Sequence, residues 1–294
     1  MTIQETLRKA CSKYKLSPLD AEIILSLAGN MPKVYILAHP EKKLSPAQIK
    51  KYHSFAKRRS ASEPIAYIAG KKEFFGLDFV VNKNVLIPRP ETELLVEHAI
   101  ERILNTKCGM PDVIIDVGTG SGNIIVSIAK NIPNKIKNKI NFYAVDISKK
   151  SLEVAKKNAK KNKTDKNIKF IQSDLLEYFP LLAEKNKKIK NILIIANLPY
   201  VSSKIYHVNK NNLKFEPKNA LISENNGLNH YKDFFKQLRY LSYKCYMLHV
   251  ICFVEFSPEQ KSEISRIITR YLPKAKSEFF KDLAGKWRMA ELSF

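Results

Sequence analysis

"VIIDVGTGSGN", residues 113–123, decides the fold. An apolar run of strand length ends on glycines at 118, 120 and 122, and a helical pattern takes over across 121–131. Glycine lets a chain turn tightly and bring its backbone close to a ligand before a helix begins. Strand, glycine turn and helix in that order open a parallel α/β sheet. The spacing is D-x-G-x-G-x-G. Position 123 is Asn, so the dinucleotide fingerprint G-x-G-x-x-G fails, and a nicotinamide-dependent oxidoreductase fails with it.

Further strand-length runs stand at 140–146, 168–174, 191–197 and 247–255, separated by helical patterns at 148–162, about 227–244 and 258–271. This alternation predicts an α/β fold with a doubly wound, mostly parallel sheet covered on both faces. Ser257-Pro258-Glu259-Gln260 caps the last helix, and "KSEFFKDLAGKWRMAELSF" (276–294) offers two runs about Asp282–Gly285, a closing C-terminal hairpin. Upstream, Ser17-Pro18-Leu19-Asp20 and Ser45-Pro46-Ala47-Gln48 are helix starts, and Ile23, Ile24, Leu27 and Ala28 recur at helical spacing. Between the two regions lies "EFFGLDFVVNKNVLIPRPETE" (73–93), in which Phe74–Val81 and Val85–Ile87 flank Asn82-Lys83-Asn84 and predict a β-hairpin. The expected organisation is a helical domain over 1–72, a hairpin connector over 73–93 and a catalytic domain over 94–294.

A chain of 294 residues can bury a sizeable core without staples. No apolar run approaches the roughly 20 residues of a membrane-spanning helix. The start "MTIQETLRKACSKYK" lacks the apolar region of a signal peptide. Cys11, Cys108, Cys245 and Cys252 have neither metal-ligand nor redox spacing, and the six histidines have no metal spacing. These features lead to the expectation of a cytoplasmic, monomeric, metal-free protein. The net charge of +23 admits two explanations. Basic surface attracts phosphate, which allows transient proximity to the ribosome or nucleic acid. Runs such as 149–163 and 184–191 equally read as solvated lysine faces, without the interleaved aromatics of a nucleic-acid groove.

The acidic residues carry more information. Asp116 precedes the glycine turn, Asp146 ends the second strand, and Asp174-Leu175 ends the third. Ligands of open α/β sheets bind at that carboxyl rim. Any one of these aspartates alone serves equally well as a helix N-cap. The set of Asp116, Gly118, Thr119, Gly120, Ser121 and Gly122 resembles motif I of class I methyltransferases, which bind S-adenosylmethionine. The resemblance implies Asp116 near the ammonium of that cofactor, Asp146 on its ribose hydroxyls, and Asp174 with the Leu175 N–H on its adenine.

The fourth strand delivers Asn197-Leu198-Pro199-Tyr200 to the same rim. A planar amide or aryl amine is a poor nucleophile because its lone pair is delocalised. An Asn side-chain oxygen and the next backbone carbonyl can accept both N–H hydrogens and localise that pair, while Tyr200 stacks on the planar target.

With "EPIAYIAGKKEFFGLDFVVNKNVLIPRPETELLVE" (63–97), "AVDIS" (144–148), "EPKNAL" (216–221) and "KDLAGKWR" (281–288), the chain resembles the release-factor glutamine methyltransferases, the PrmC/HemK family, over nearly its whole length. The resemblance implies methylation of the Gln in the Gly-Gly-Gln motif of peptide-chain release factors, with the helical domain helping to hold the substrate. By the same resemblance Asn197 and the Leu198 carbonyl bind the glutamine amide, Pro199 shapes the turn, and Arg89 and Glu91 belong to the substrate wall. Two positions depart from the family. Leu198 stands where Pro is usual, a form similar to that of ribosomal RNA adenine methyltransferases. Phe256 stands where Gly is usual, an expected cost in local packing. A ribosomal-protein glutamine methyltransferase, an adenine amino methyltransferase on RNA or DNA, and an inactive ribosome-binding module remain as alternatives.

Overall fold

The computed structural model describes residues 1–105, 109–180, 186, 188–244 and 249–294; Cys108 and Cys245 lie outside them. The chain forms two compact units, one of residues 1–71 with 210–215 and one of 72–209 with 216–294.

The smaller unit is helical. Helix α1 (Ile3–Tyr14) starts on a Thr2/Glu5 capping box, α2 (Pro18–Gly29) on the Ser17 hydroxyl, and α4 (Pro46–Ser60) on a Ser45/Gln48 capping box. It also holds short helices α3 (Lys33–Ala38) and α5 (Ile65–Ala69) and a helical turn at Lys210–Leu213. Each cap satisfies backbone N–H groups that the helix cannot, so the two Ser-Pro signals mark true starts. Ile3, Ala10, Ile24, Leu25 and Tyr52 form its core. Arg59 reaches across α2 to Asp20 at 3.0 Å.

The larger unit opens with a hairpin of β1 (Lys71–Phe74) and β2 (Leu77–Val80). Its turn is Phe75-Gly76 and not the expected Asn82-Lys83-Asn84. Both turn residues have positive φ, +51° and +69°, as a type I′ hairpin turn requires. A phenylalanine there carries no turn signal. Its conformation is fixed from outside, by Phe75 N–H donating to Glu93 Oε1 at 2.8 Å and Gly76 N–H to Glu73 Oε1 at 2.9 Å. Residues 85–87 are not a strand.

A seven-stranded sheet follows: β3 (Val113–Val117), β4 (Asn141–Asp146), β5 (Ile168–Gln172), β6 (Asn191–Ala196), β7 (His249–Glu255), β8 (Lys276–Lys281) and β9 (Trp287–Ser293). The order is β5-β4-β3-β6-β7-β9-β8, with β3 to β7 mutually parallel and β9 antiparallel to both neighbours. The expected doubly wound sheet with a closing hairpin is present. Its order reverses between β3 and β6, where such sheets bind ligands.

Alternate residues of β3 enter opposite cores. Val113, Ile115 and Val117 pack beneath α9 (Asn229–Lys244) and α10 (Lys261–Tyr271). Ile114 packs with α6 (Glu93–Leu104) and α7 (Asn123–Asn131) on the other face. Phe256 is fully buried and meets Phe279 edge-on. In α8 (Lys149–Lys161), the lysine run expected to be a solvent face also carries a buried stripe that includes Leu152, Ala155 and Asn158. Trp287 belongs to the closing hairpin, its ring between Lys261 and Lys281 at 4.0 and 4.8 Å.

Candidate active site

The carboxyl rim of the parallel strands holds a cleft of about 120 Å³. Gly118, Gly120, Asp146, Asp174, Leu175, Asn197, Leu198 and Pro199 line it together with His230. Tyr200 lines the neighbouring cleft instead. Asp116, Thr119, Ser121, Gly122, Arg89 and Glu91 lie off the lining.

The glycine turn is built around Asp116. This side chain is fully buried; Oδ2 accepts the Thr119 hydroxyl at 2.6 Å and the Ile125 N–H at 3.3 Å, while Oδ1 has no partner among the described residues. It thus holds the turn against the start of α7. Gly122, at φ +78°, begins that helix, and a Cβ there would sit 3.1 Å from Ala155 Cβ. Only glycine lets α7 and α8 approach this closely.

Burial pushes the Asp116 carboxyl up to about 7, against the lowering hydrogen bonds of Thr119 and Ile125. A raised folded value favours the protonated fold. The stabilisation is full below the ordinary value of 3.8 and is lost as pH rises through about 7. The melting temperature of Asp116→Asn should therefore vary less between pH 5 and 8 than that of the parent. Equal slopes in paired thermal melts would refute this origin of the pH dependence.

Asp146 joins turn to sheet. Its Oδ2 accepts the Gly120 N–H at 2.9 Å and its Oδ1 the Ser148 N–H at 2.8 Å. Burial raises its carboxyl, and those two hydrogen bonds oppose the rise. Each oxygen keeps a further lone pair, enough to receive two ribose hydroxyls. Leu175 has φ +48°, a strained conformation for a branched side chain. Its N–H has no acceptor among the described residues, so it is available to a ring nitrogen. The residues present fit an adenosine-bearing group.

At the end of β6 the side chain of Leu198 turns into the core, 1% exposed. Asn197 Nδ2 donates to the Thr92 hydroxyl at 3.1 Å, and its Oδ1 has no donor among the described residues. The Tyr200 hydroxyl donates to Glu255 Oε1 at 3.2 Å. Burial first, then the neighbouring Glu255, raises that phenol. The buried Tyr231 hydroxyl donates to the Glu255 carbonyl and lies 3.5 Å from the Leu198 carbonyl. Arg89 pairs with the buried Glu216 at 2.5 Å, whose other oxygen accepts the Ile87 N–H at 3.1 Å. This pair fixes the Pro88-Arg89-Pro90 segment to the loop that begins at Glu216.

Sequence reasoning missed Thr92, Glu216, Tyr231 and Glu255. Glu255 had an available signal, an acid at the end of the fifth parallel strand, as at Asp116 and Asp146. Thr92 and Glu216 lay within blocks noted for resemblance alone.

Sheet order, switch-point cleft and glycine turn define a class I methyltransferase domain, and the family model described as "Methyltransferase domain" matches residues 111–253. A second model, "PrmC N-terminal domain", matches residues 3–70. The chain is 34% identical to a release factor glutamine methyltransferase of Buchnera aphidicola subsp. Acyrthosiphon pisum, covering 92% of this chain and 91% of that one. It is 36% identical to the protein of that name from Burkholderia pseudomallei, over 72% of this chain and 71% of that one. Among solved structures, the hMettl16 catalytic domain shares the fold, with a TM-score of 0.53 at 15% identity over 82% of each chain. The protein belongs to the release factor glutamine methyltransferase family. Its methyl donor is S-adenosylmethionine. Among the described residues no cluster fit for a metal ion occurs, and no helix is long and apolar enough to cross a membrane.

Proposed function

We propose that this protein methylates the side-chain amide nitrogen of the glutamine in the Gly-Gly-Gln motif of peptide-chain release factors. The observation that carries this reading is Asn197, held by Thr92 through its nitrogen, with its oxygen unpartnered beside the cleft. Family membership supports it. Asn197 Oδ1 and the Leu198 carbonyl accept the two hydrogens of the target amide, which orients it and localises its lone pair. S-adenosylmethionine, when bound, supplies an electrophilic methyl group. The turn of Gly118–Gly122 cradles this donor, Asp146 receives its ribose hydroxyls, and Asp174 with the Leu175 N–H reads its adenine. Pro199 sets the angle of the strand end, and Tyr200 packs on the substrate from the adjoining cleft. Arg89 and Glu91 serve the substrate wall by fixing its backbone. Residues 1–72 dock the release factor, and 73–93 connect them to the catalytic domain. The enzyme works as a cytoplasmic monomer, and its basic surface allows transient encounters with the ribosome.

Purified protein, labelled S-adenosylmethionine and three acceptors test this directly: a release factor, the same factor with the Gly-Gly-Gln glutamine changed, and ribosomal RNA. Label on the intact factor alone is expected. Label on the RNA would replace this reading with adenine methylation, the chemistry that Leu198 favours.

A further inference from the structure

His230 stands in the first turn of α9 and lines the cleft together with Asp174, Leu175 and Asn197. One hydroxyl fixes its ring. Ser223 Oγ accepts the His230 N–H at 3.2 Å and lies 2.8 Å from Nδ1. Ser223 is 1% exposed, and Nδ1 is the one acceptor that its hydroxyl meets among the described residues. A buried hydroxyl whose proton finds no acceptor is costly, so that proton goes to Nδ1. In the neutral ring Nδ1 then accepts and Nε2 carries the hydrogen. A protonated ring keeps a hydrogen on Nε2 as well. In either form the ring offers the cleft a donor at Nε2, which has no partner among the described residues.

The rest of α9 shows which part of a ligand this donor meets. Gln237 Oε1, two turns further along, accepts the Leu176 N–H at 2.6 Å. Seven residues return a helix to within about 20° of the same direction. His230 and Gln237 therefore share the face of α9 that is stitched to the Asp174-Leu175 corner. Between them Phe234 is fully buried in the core against which Leu175 packs. Adenine at that corner has ring nitrogens besides the one that the Leu175 N–H meets, and each of them is an acceptor. The target amide is the poorer match. A donor on its carbonyl would draw the nitrogen lone pair toward oxygen and oppose the transfer. We propose that His230 is a cofactor-binding residue whose Nε2–H donates to a second ring nitrogen of the adenine, and that Ser223 is the positioning residue that sets its tautomer.

This inference rests on the adenine placement of the proposed function, and its test reads binding in place of turnover. S-adenosylhomocysteine and its 3-deaza and 7-deaza forms are titrated calorimetrically into the full chain, His230→Phe and His230→Gln. Phenylalanine keeps a planar ring without a donor, and the glutamine nitrogen falls close to the position of Nε2. His230→Phe should weaken binding of S-adenosylhomocysteine about tenfold, the size of one hydrogen bond left unmade in a desolvated site, and His230→Gln by no more than about threefold. The parent should lose about as much with one of the deaza forms, and His230→Phe should lose nothing further with that form, because the acceptor is already gone. In ¹⁵N-labelled protein the ring of His230 should show the Nε2–H tautomer, and Ser223→Ala should shift it away from that state. Equal losses for all three ligands in His230→Phe would overturn the proposal. An Nδ1–H tautomer in the parent would overturn it too, and that measurement needs no variant to fold. Parental affinity in Asp174→Ala would instead strike the adenine placement, and this inference with it.

Discussion

Asn197→Ala lowers kcat for glutamine methylation by about 10²- to 10³-fold while S-adenosylmethionine binds within a few-fold of its normal affinity. The magnitude is that of deleting one preorganised hydrogen-bonding group aimed at the reacting centre. The separation between kcat and binding follows from where the groups sit. The elements that fit the donor are the glycine turn, Asp146 and the Asp174-Leu175 corner, on β3, β4 and the residues after β5. Asn197 follows β6 and is tied through Thr92, and those donor-side hydrogen bonds do not pass through it. Alanine removes the side-chain acceptor and leaves the Leu198 carbonyl in place, so one of two acceptors remains. Isothermal titration with the donor and single-turnover transfer to a release factor measure the two quantities separately. Transfer at the parental rate would remove the amide-acceptor mechanism altogether.

Gly227→Ala is expected to damage the same site from 30 residues away in sequence, 227 against 197. Gly227 has φ +87°, and a Cβ there would lie 2.0 Å from the Tyr200 carbonyl oxygen and 2.6 Å from Gln260 Nε2. The carbonyl cannot easily yield. Gln260 Nε2 donates to it at 3.0 Å and to the Asn226 carbonyl at 2.9 Å. Val201 is clamped next to it by Val201 N–H to the Leu221 carbonyl at 2.9 Å and Ser223 N–H to the Val201 carbonyl at 3.0 Å. Either the left-handed turn at 225–227 or the strand end bearing the tetrapeptide must shift. Left-handed strain of about 1–3 kcal/mol adds to the collision, and a displacement of about 1 Å at the reacting groups costs about 10²-fold in rate. Loss of at least 3 kcal/mol in denaturant unfolding, or a hundredfold loss of kcat, is the expected result. Gly285→Ala is the control: φ is +74° there and no atom lies within 4 Å of the added methyl, so its cost should be the conformational strain alone. Equal effects of the two substitutions would show that the contact with Tyr200 does not matter.

The sheet was legible because each buried parallel strand is a short apolar run closed by an acid or an amide, as at Asp116, Asp146 and Asn197. The helix starts were legible because Ser17 and Ser45 satisfy their helices locally. What escaped depended on partners far along the chain. The hairpin turn fell on Asn82-Lys83-Asn84 in sequence terms because those residues suit turns, whereas Phe75 is held at positive φ by Glu93, 18 residues on. Glu216 contacts Arg89 across 127 residues, a pairing that no local pattern announces. In the lysine run the solvated face is real, but nothing local marks the amide on its buried stripe as the partner of Val80 and Ser121.

That amide, Asn158, has a consequence of its own. Its Oδ1 accepts the Val80 N–H at 2.6 Å, and its Nδ2 donates to the Val80 carbonyl at 2.9 Å and to the Ser121 carbonyl at 2.8 Å. One fully buried side chain thereby rivets β2 to the glycine turn. Coupling between two such sites is reciprocal: a donor that quiets the turn must also slow the opening of the hairpin, and slack introduced at Val80 must return as weaker retention of the donor. The hairpin is thus a gauge of cofactor occupancy, legible in the solvent exchange of a single amide hydrogen.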